Sequence, residues 1–488
     1  MSEATSTIAS LRVASASESV PALTRVPFRW THRDQATLPV ERRGTLPAWL
    51  HGQLVRTAPA VFERNGWRAA HWFDGLALMY GFTFEGEHVT FRQRLLASHA
   101  AAMAATGKNK LGSFGTPLQR NLLQRMFQPA PPLTDNTNVN VVPWQGAWLA
   151  MTETANQQVV DGATMEARGL YQYVDKLSPR LLTAHPHYDF DGDAMVNLGT
   201  SFGRKSEVSV FRQGPRDKGR TREGGLSFDA VPYVHDFGLT ARHLVLIDHP
   251  FRLKPITLLF SNRPIVDHFK WEPETGTRLW KFDRKAATWR AYETDTLFCF
   301  HVVNTFEEGD DVVFDFLAFD DPSILPKLRT EVLARGVLPT FAPRYVRARL
   351  RPDAKRAELE ELSDVRFEFP SIPYRRQHGR PYDVAWGASI AAAPSGEWET
   401  QVVRIDLAHR ETRSYGERGV LYGEPVFVPK PDADDPTEGV LLSVGAHLHE
   451  ERTTLAVIDA ESMRPLAHCD VGLSLPASFH GNFQAARR

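Results

Sequence analysis

Residues 77–96 read ALMYGFTFEGEHVTFRQRLL, two β-rich runs, ALMYGFTF and HVTFRQRLL, separated by a short stretch carrying a glycine. Runs of this length, rich in β-branched and aromatic residues and bounded by turn-forming residues, read as strands. The pattern recurs almost from end to end, in SEVSVF, RHLVLID, DVVFDFLAF, TQVVRIDL, EPVFVP and TTLAVIDA. It predicts an all-β protein. Helical stretches are few: AAMAATGK near residue 101, PLQRNLLQRMF over 117–127, and PSILPKLRTEVLARG over 322–336, where Leu325, Leu328 and Val332 keep helical spacing. They read as insertions between strands.

The chain has 488 residues, more than a single core usually serves, so the choice is several domains or one large closed repeat architecture. The polar stretches RQGPRDKGRTREGG (212–225) and PKPDADDPTEG (429–439) have only loop or hairpin length. A single domain over 23–488 is expected, after a disordered N-terminal arm at 1–22. One open sheet of this size would leave exposed edges, whereas a propeller closes on itself with four to eight four-stranded blades. Seven blades would take roughly 17 residues per strand with its turn, a workable spacing. No WD or kelch repeat is visible, so spacing leaves the blade number open.

Lys and Arg total 57 against 58 Asp and Glu, so no basic field draws in nucleic acid. Two cysteines, Cys299 and Cys469, are too few for a disulfide scaffold or a thiolate metal site. Any metal must be held by histidine and carboxylate. The N-terminal stretch lacks a signal-peptide pattern and no run of 18 uncharged apolar residues occurs, so a cytoplasmic protein is expected.

Of 18 histidines, four sit where β-rich runs meet tight turns: His185 in TAHPHYDFDGD, His235 in PYVHDFGLT, His301 in FCFHVVNTFEEGDD and His480 in ASFHGNF. They are separated by 50, 66 and 179 residues, too far for a local chelate. In a propeller, distant strands converge on one axis, so the distance is no objection. Ligating imidazoles usually give their second N–H to a carboxylate or carbonyl. Glu153, Glu368 and Glu424, each beside an apolar strand, are the candidates, with solvated strand edges as the plainer alternative. His447 and His449 in AHLHEE read as a solvated hairpin, His71 in HWFDG as part of a structural corner, and His187 as a residue ordering its own turn.

The ordered set LPAWLHGQLVRTAPAVF, HWFDGLALMYGFTFEGEHVTFRQRLL, DNTNVNVV, TAHPHYD, VHDFGLT, FHVVNTFEEGDDVVFD, YGEPVFVP and ASFHGNF resembles the carotenoid cleavage oxygenases over about residues 37–484. The resemblance implies a seven-bladed β-propeller with helical insertions capping an axial iron site. It implies Fe(2+) on His185, His235, His301 and His480, with Glu153, Glu368 and Glu424 behind the rings and no catalytic side chain beyond that centre. The implied reaction is O2-dependent cleavage of a conjugated C=C bond in a carotenoid or apocarotenoid, giving two carbonyl products, retinal among the candidates. The details resemble the animal-type β-carotene oxygenase and retinoid isomerohydrolase branch more than the stilbene cleavers, which place a Lys where Thr134 and Asp135 stand here. Stilbenoid cleavage, retinoid isomerisation, and a metal-free binding propeller are the alternatives.

A polyene must be drawn from a membrane. Lys108, Lys110, Arg120 and Arg125 lie in a segment without acids, and Leu118, Leu122, Met126 and Phe127 can form one apolar helix face, the pattern of an interfacial helix. Peripheral contact with the inner face of a membrane is therefore expected, with a packed cap helix as the alternative and no obligate protein partner indicated. Tyr233 and Phe300 adjoin the ligand segments and are the expected polyene contacts.

Overall fold

The computed structural model describes residues 28–30, 33–336, 338–392 and 397–486. The arm expected at 1–22 lies outside the described residues. The protein is mostly β, and every sheet pairing among the described strands is antiparallel. Central strands such as Gly439–His447 are buried along their whole length, as expected where both faces are covered. Outer strands alternate: in His88–Leu95, His88 and Thr90 are exposed while Val89 and Phe91 are buried.

Among the described residues, seven sheets have four to six strands each, and two smaller ones accompany them. The first sheet is built around Gly52–Val61 and Leu76–Glu85, and the last around Gly439–His447 and Thr453–Asp459. The chain ends are exchanged between these two. Gly481–Ala485 pairs with Gly52–Val61 in the first sheet, and Glu41–Gly44 pairs with Pro465–Val471 in the last. Hydrophobic clusters fill the spaces between sheets. Val196, Val210 and Phe237 pack with Leu246 and Phe282; Val245 and Leu279 pack with Phe314 and Val346; Phe306 and Tyr345 pack with Ala385 and Val403; Trp386 and Val402 pack with Leu441 and Ile458. Among the described residues, no single sheet closes on itself.

Helices are few and short. His99–Ala105 forms as expected, with the Ser98 side chain accepting from the Ala101 N–H. The stretch over 117–127 is helical only at Leu122–Phe127, because Asn121 and Gln124 form a capping box that starts the helix there. The expected helix over 322–336 divides into Ile324–Lys327 and Thr330–Ala334. Arg329 between them is extended. Docking explains the break: the Leu328 carbonyl accepts from Trp72 N–H at 3.0 Å, and the Thr330 hydroxyl donates to the Ala69 carbonyl at 2.7 Å. Pro326 also lacks the N–H a continuous helix would need.

Candidate metal centre

Four segments from different sheets deliver one histidine each. His185 lies in the loop before the strand His187–Asp189, His235 in the loop between Val231–Pro232 and Gly238–Leu239, and His480 immediately before Gly481–Ala485. His301 lies inside Phe298–Glu308, where the register shifts between Cys299 and Val302 and turns the ring inward. One ring nitrogen from each of the four lies within 4.8 Å of the others, a group able to hold a metal ion.

The contacts among these rings test that assignment. His235 Nε2 is 3.3 Å from His301 Nε2, which is 3.1 Å from His480 Nε2. The Nε2 of His185 is buried and has no hydrogen-bond partner. The opposite nitrogens are occupied: Nδ1 donates from His235 to Glu153 at 2.5 Å, from His301 to Glu368 at 2.5 Å and from His480 to Glu424 at 2.7 Å. With Nδ1 carrying the proton, three Nε2 lone pairs converge on one point, and a cation there relieves their repulsion. The donor set fits a divalent transition metal bound by imidazole.

Electrostatics favour neutral rings at two of the four positions. Burial, reinforced by the neighbouring rings, holds His185 and His480 well below the usual histidine pKa. Burial works against charge on His301 as well, but the Glu368 carboxylate outweighs it and raises that pKa. Burial pushes Glu424 up to about 7 against the opposing pull of Arg56.

Arg56 escaped the reading of the sequence. It is fully buried, its guanidinium 3.2 Å from Glu424 Oε2, and it donates to Ser478 Oγ at 3.1 Å and the Phe479 carbonyl at 2.9 Å. The available signal was a lone charge inside the apolar run LVRTAPAVF. His187 stands outside the cluster: its nitrogens meet Asp236 and Tyr374 instead. His71 is structural, bonding the Leu325 carbonyl at 2.9 Å.

A cavity opens onto the imidazoles, with about 1540 Å³ of space between atoms when its open mouth is included. Phe73, Phe114, Phe369 and Phe479 line it, as do Tyr233 and Phe300. The Tyr233 hydroxyl is committed, donating to Glu153 at 2.9 Å, so its ring is what faces a ligand. Phe369 holds a left-handed backbone (φ 55°), and its ring lies 5.6 Å from His301 and 5.3 Å from His480. That strain fixes an aromatic wall against the metal group.

Leu122, Met126 and Phe127 are exposed, Phe127 at 86%. Leu118 is a correction: it precedes the helix and is 6% exposed, held inward by its N–H to the Asn262 carbonyl. Leu123, Ile256 and Phe260 join the exposed set instead. Phe260 N–H bonds the Pro129 carbonyl, and Ile265, on the cavity wall, bonds Ser113, so this apolar surface adjoins the cavity. Among the described residues, no helix is long and apolar enough to cross a membrane.

Residues 28–485 match the family described as "Retinal pigment epithelial membrane protein". A mitochondrial carotenoid-cleaving dioxygenase of Mustela putorius furo is 28% identical, the match covering 90% of this chain and 92% of the relative. The β,β-carotene 15,15'-dioxygenase of Rattus norvegicus is 27% identical, over 90% and 88%. A variant of Synechocystis apocarotenoid oxygenase shares the fold, with a TM-score of 0.83 at 20% identity, over 94% of this chain and 98% of that one.

Proposed function

Because the chain belongs to the retinal pigment epithelial membrane protein family of carotenoid oxygenases, we propose that it cleaves one C=C bond of a carotenoid or apocarotenoid with O2, giving two carbonyl products. The observation that carries this reading is the group of four histidine nitrogens beside an aromatic-walled cavity. Fe(2+) held by His185, His235, His301 and His480 would supply O2 activation, since four imidazoles leave positions open on a six-coordinate ion. Glu153, Glu368 and Glu424 orient three of the rings and would offset the charge of a bound ion. Phe300, Phe369 and Phe479 exclude water and present flat faces along which a polyene aligns one double bond.

The seven larger sheets, the clusters between successive pairs and the exchanged chain ends support a seven-bladed propeller forming one domain over the described part of 23–488. The exposed Leu122, Leu123, Met126, Phe127, Ile256 and Phe260 support peripheral membrane contact on the side of the protein that adjoins the cavity wall at Ile265, which would place a cytoplasmic enzyme on the inner membrane face.

The test is anaerobic reconstitution with Fe(II), then O2 with β-carotene, apocarotenals and hydroxystilbenes, identifying carbonyl products by mass. Aldehydes or ketones from a polyene are expected. No polyene product at full iron complement would refute the reading, and products from hydroxystilbenes alone would replace it with stilbenoid cleavage. His235→Ala should lose iron on purification.

A further inference from the structure

The imidazole–glutamate pairs leave one buried carboxylate at the centre without a task. Asp236 follows His235 directly. Its Oδ1 accepts from the Phe237 N–H at 2.8 Å and from His187 Nε2 at 3.0 Å. Its Oδ2 accepts from the N–H of Val302, the residue after His301, at 2.8 Å. A single side chain thus fastens the loop of His235 to the strand of His301, and both to the segment carrying His185.

The chain of bonds continues outward. His187 Nδ1 is 3.1 Å from the Tyr374 hydroxyl, and that oxygen also accepts from the Tyr188 N–H at 3.0 Å. With its acceptor side so engaged, the tyrosine gives its own hydrogen to Nδ1, which leaves the imidazole proton on Nε2, facing Asp236. His378 stacks on both rings, 4.8 Å from His187 at 13° and 4.4 Å from Tyr374 at 16°. Tyr374 begins the turn Tyr374–Gln377, which follows the strand Glu368–Ser371. The segments bearing His185, His235, His301 and Glu368 are therefore braced together from behind. Asp236, His187, Tyr374 and His378 are all absent from the cavity wall, so contact with substrate is not their task. Among the described residues, moreover, no glutamate bonds the His185 ring; the residue two places on is anchored instead.

We infer that Asp236, oriented by His187 and Tyr374, is a positioning residue that sets the spacing of three of the four imidazoles and thereby the affinity of the centre for its metal. The inference rests on the reading that these histidines hold a metal. Asp236→Asn would turn an acceptor into a donor facing the Val302 or His187 N–H. His187→Phe would remove the donor to Asp236, whereas His187→Gln can still donate to Asp236 and accept from Tyr374.

The experiment uses the full chain stripped of metal. Co(II) affinity by chelator competition, the Co(II) visible absorption bands and the thermal midpoint are measured for each variant. Asp236→Asn and His187→Phe are expected to weaken Co(II) binding about tenfold to a hundredfold and to shift the bands, while His187→Gln keeps both. Lowered midpoints with unchanged Co(II) affinity and bands would overturn the inference, leaving the network a fold stabiliser. Equal losses in His187→Gln and His187→Phe would also overturn it. If Asp236→Asn fails to fold, the two His187 variants decide. A wild-type chain that binds no Co(II) would instead overturn the metal reading, and this inference with it.

Discussion

At about pH 9, where Glu424, held up to about 7 by burial, is ionised, replacing Arg56 with methionine should cost about 3–5 kcal/mol of stability, the usual loss when one partner of a buried ion pair is removed. The guanidinium is 0% exposed, and it meets Glu424 Oε2 at 3.2 Å, the Glu424 carbonyl at 3.2 Å, the Phe479 carbonyl at 2.9 Å and Ser478 Oγ at 3.1 Å. Methionine fills similar volume, so packing loss is small and the cost falls on the carboxylate and carbonyls left without a donor. Glu424 keeps two donors, His480 Nδ1 at 2.7 Å and Gly481 N–H at 2.9 Å, which sets the upper end of the range. The assay is chemical denaturation of the metal-free chain for Arg56→Met, Glu424→Gln and the double variant. Because a neutral Gln no longer needs the counter-charge, the double variant should be at least about 1 kcal/mol more stable than the sum of the single losses predicts. A loss below about 1 kcal/mol for Arg56→Met, or strict additivity, would refute the claim that Arg56 is there for Glu424.

Burial pushes His71 and His249 down to about 3, so the folded chain stays unprotonated at both while the unfolded chain takes up protons near 6.5. Their stabilisation is complete above pH 6.5 and falls with pH, by about 2 kcal/mol each at pH 5, as denaturation at pH 7 and pH 5 would report. His71→Gln should remove about 2 kcal/mol of the loss over that interval, the other depressed histidines, His185 and His480 among them, keeping their share; an undiminished loss would refute the assignment. Gly387→Ala should cost about 1–3 kcal/mol in the same assay, since a Cβ would come 2.2 Å from Phe367 Cδ2 and 2.9 Å from the Glu368 carbonyl, whereas Gly472→Ala, with nothing within 4 Å, should be close to neutral. The double variant Leu123→Glu/Phe127→Glu should bind anionic vesicles about tenfold or more weakly in sedimentation with its metal content unchanged; equal sedimentation would refute the membrane-facing role.

Strand character in runs such as ALMYGFTF and DVVFDFLAF was legible because alternation and β-branched content act within a few residues. The four histidines and three glutamates were legible as candidates for the same local reason: each polar group sits in or beside an apolar, β-rich run. Which glutamate meets which ring was not, because Glu153 and His235 are 82 residues apart and Glu368 and His301 are 67 apart, distances bridged only by sheet packing. Arg56 illustrates the limit further, since its partner is 368 residues away and a lone charge in an apolar run does not announce what neutralises it. In TAHPHYD the two histidines look alike, yet His185 reaches the centre while His187 begins a strand and turns to Asp236. The 322–336 stretch kept its helical periodicity but broke at Arg329, where docking on residues 69–72 outweighs helix propensity. Sequence alone therefore determined the β class and the identity of the metal-ligating candidates, because strand periodicity and the company a polar residue keeps are local. Only the tertiary structure decided the pairing, the brace behind the rings and the wall of the cavity, because those depend on which distant strands are brought side by side.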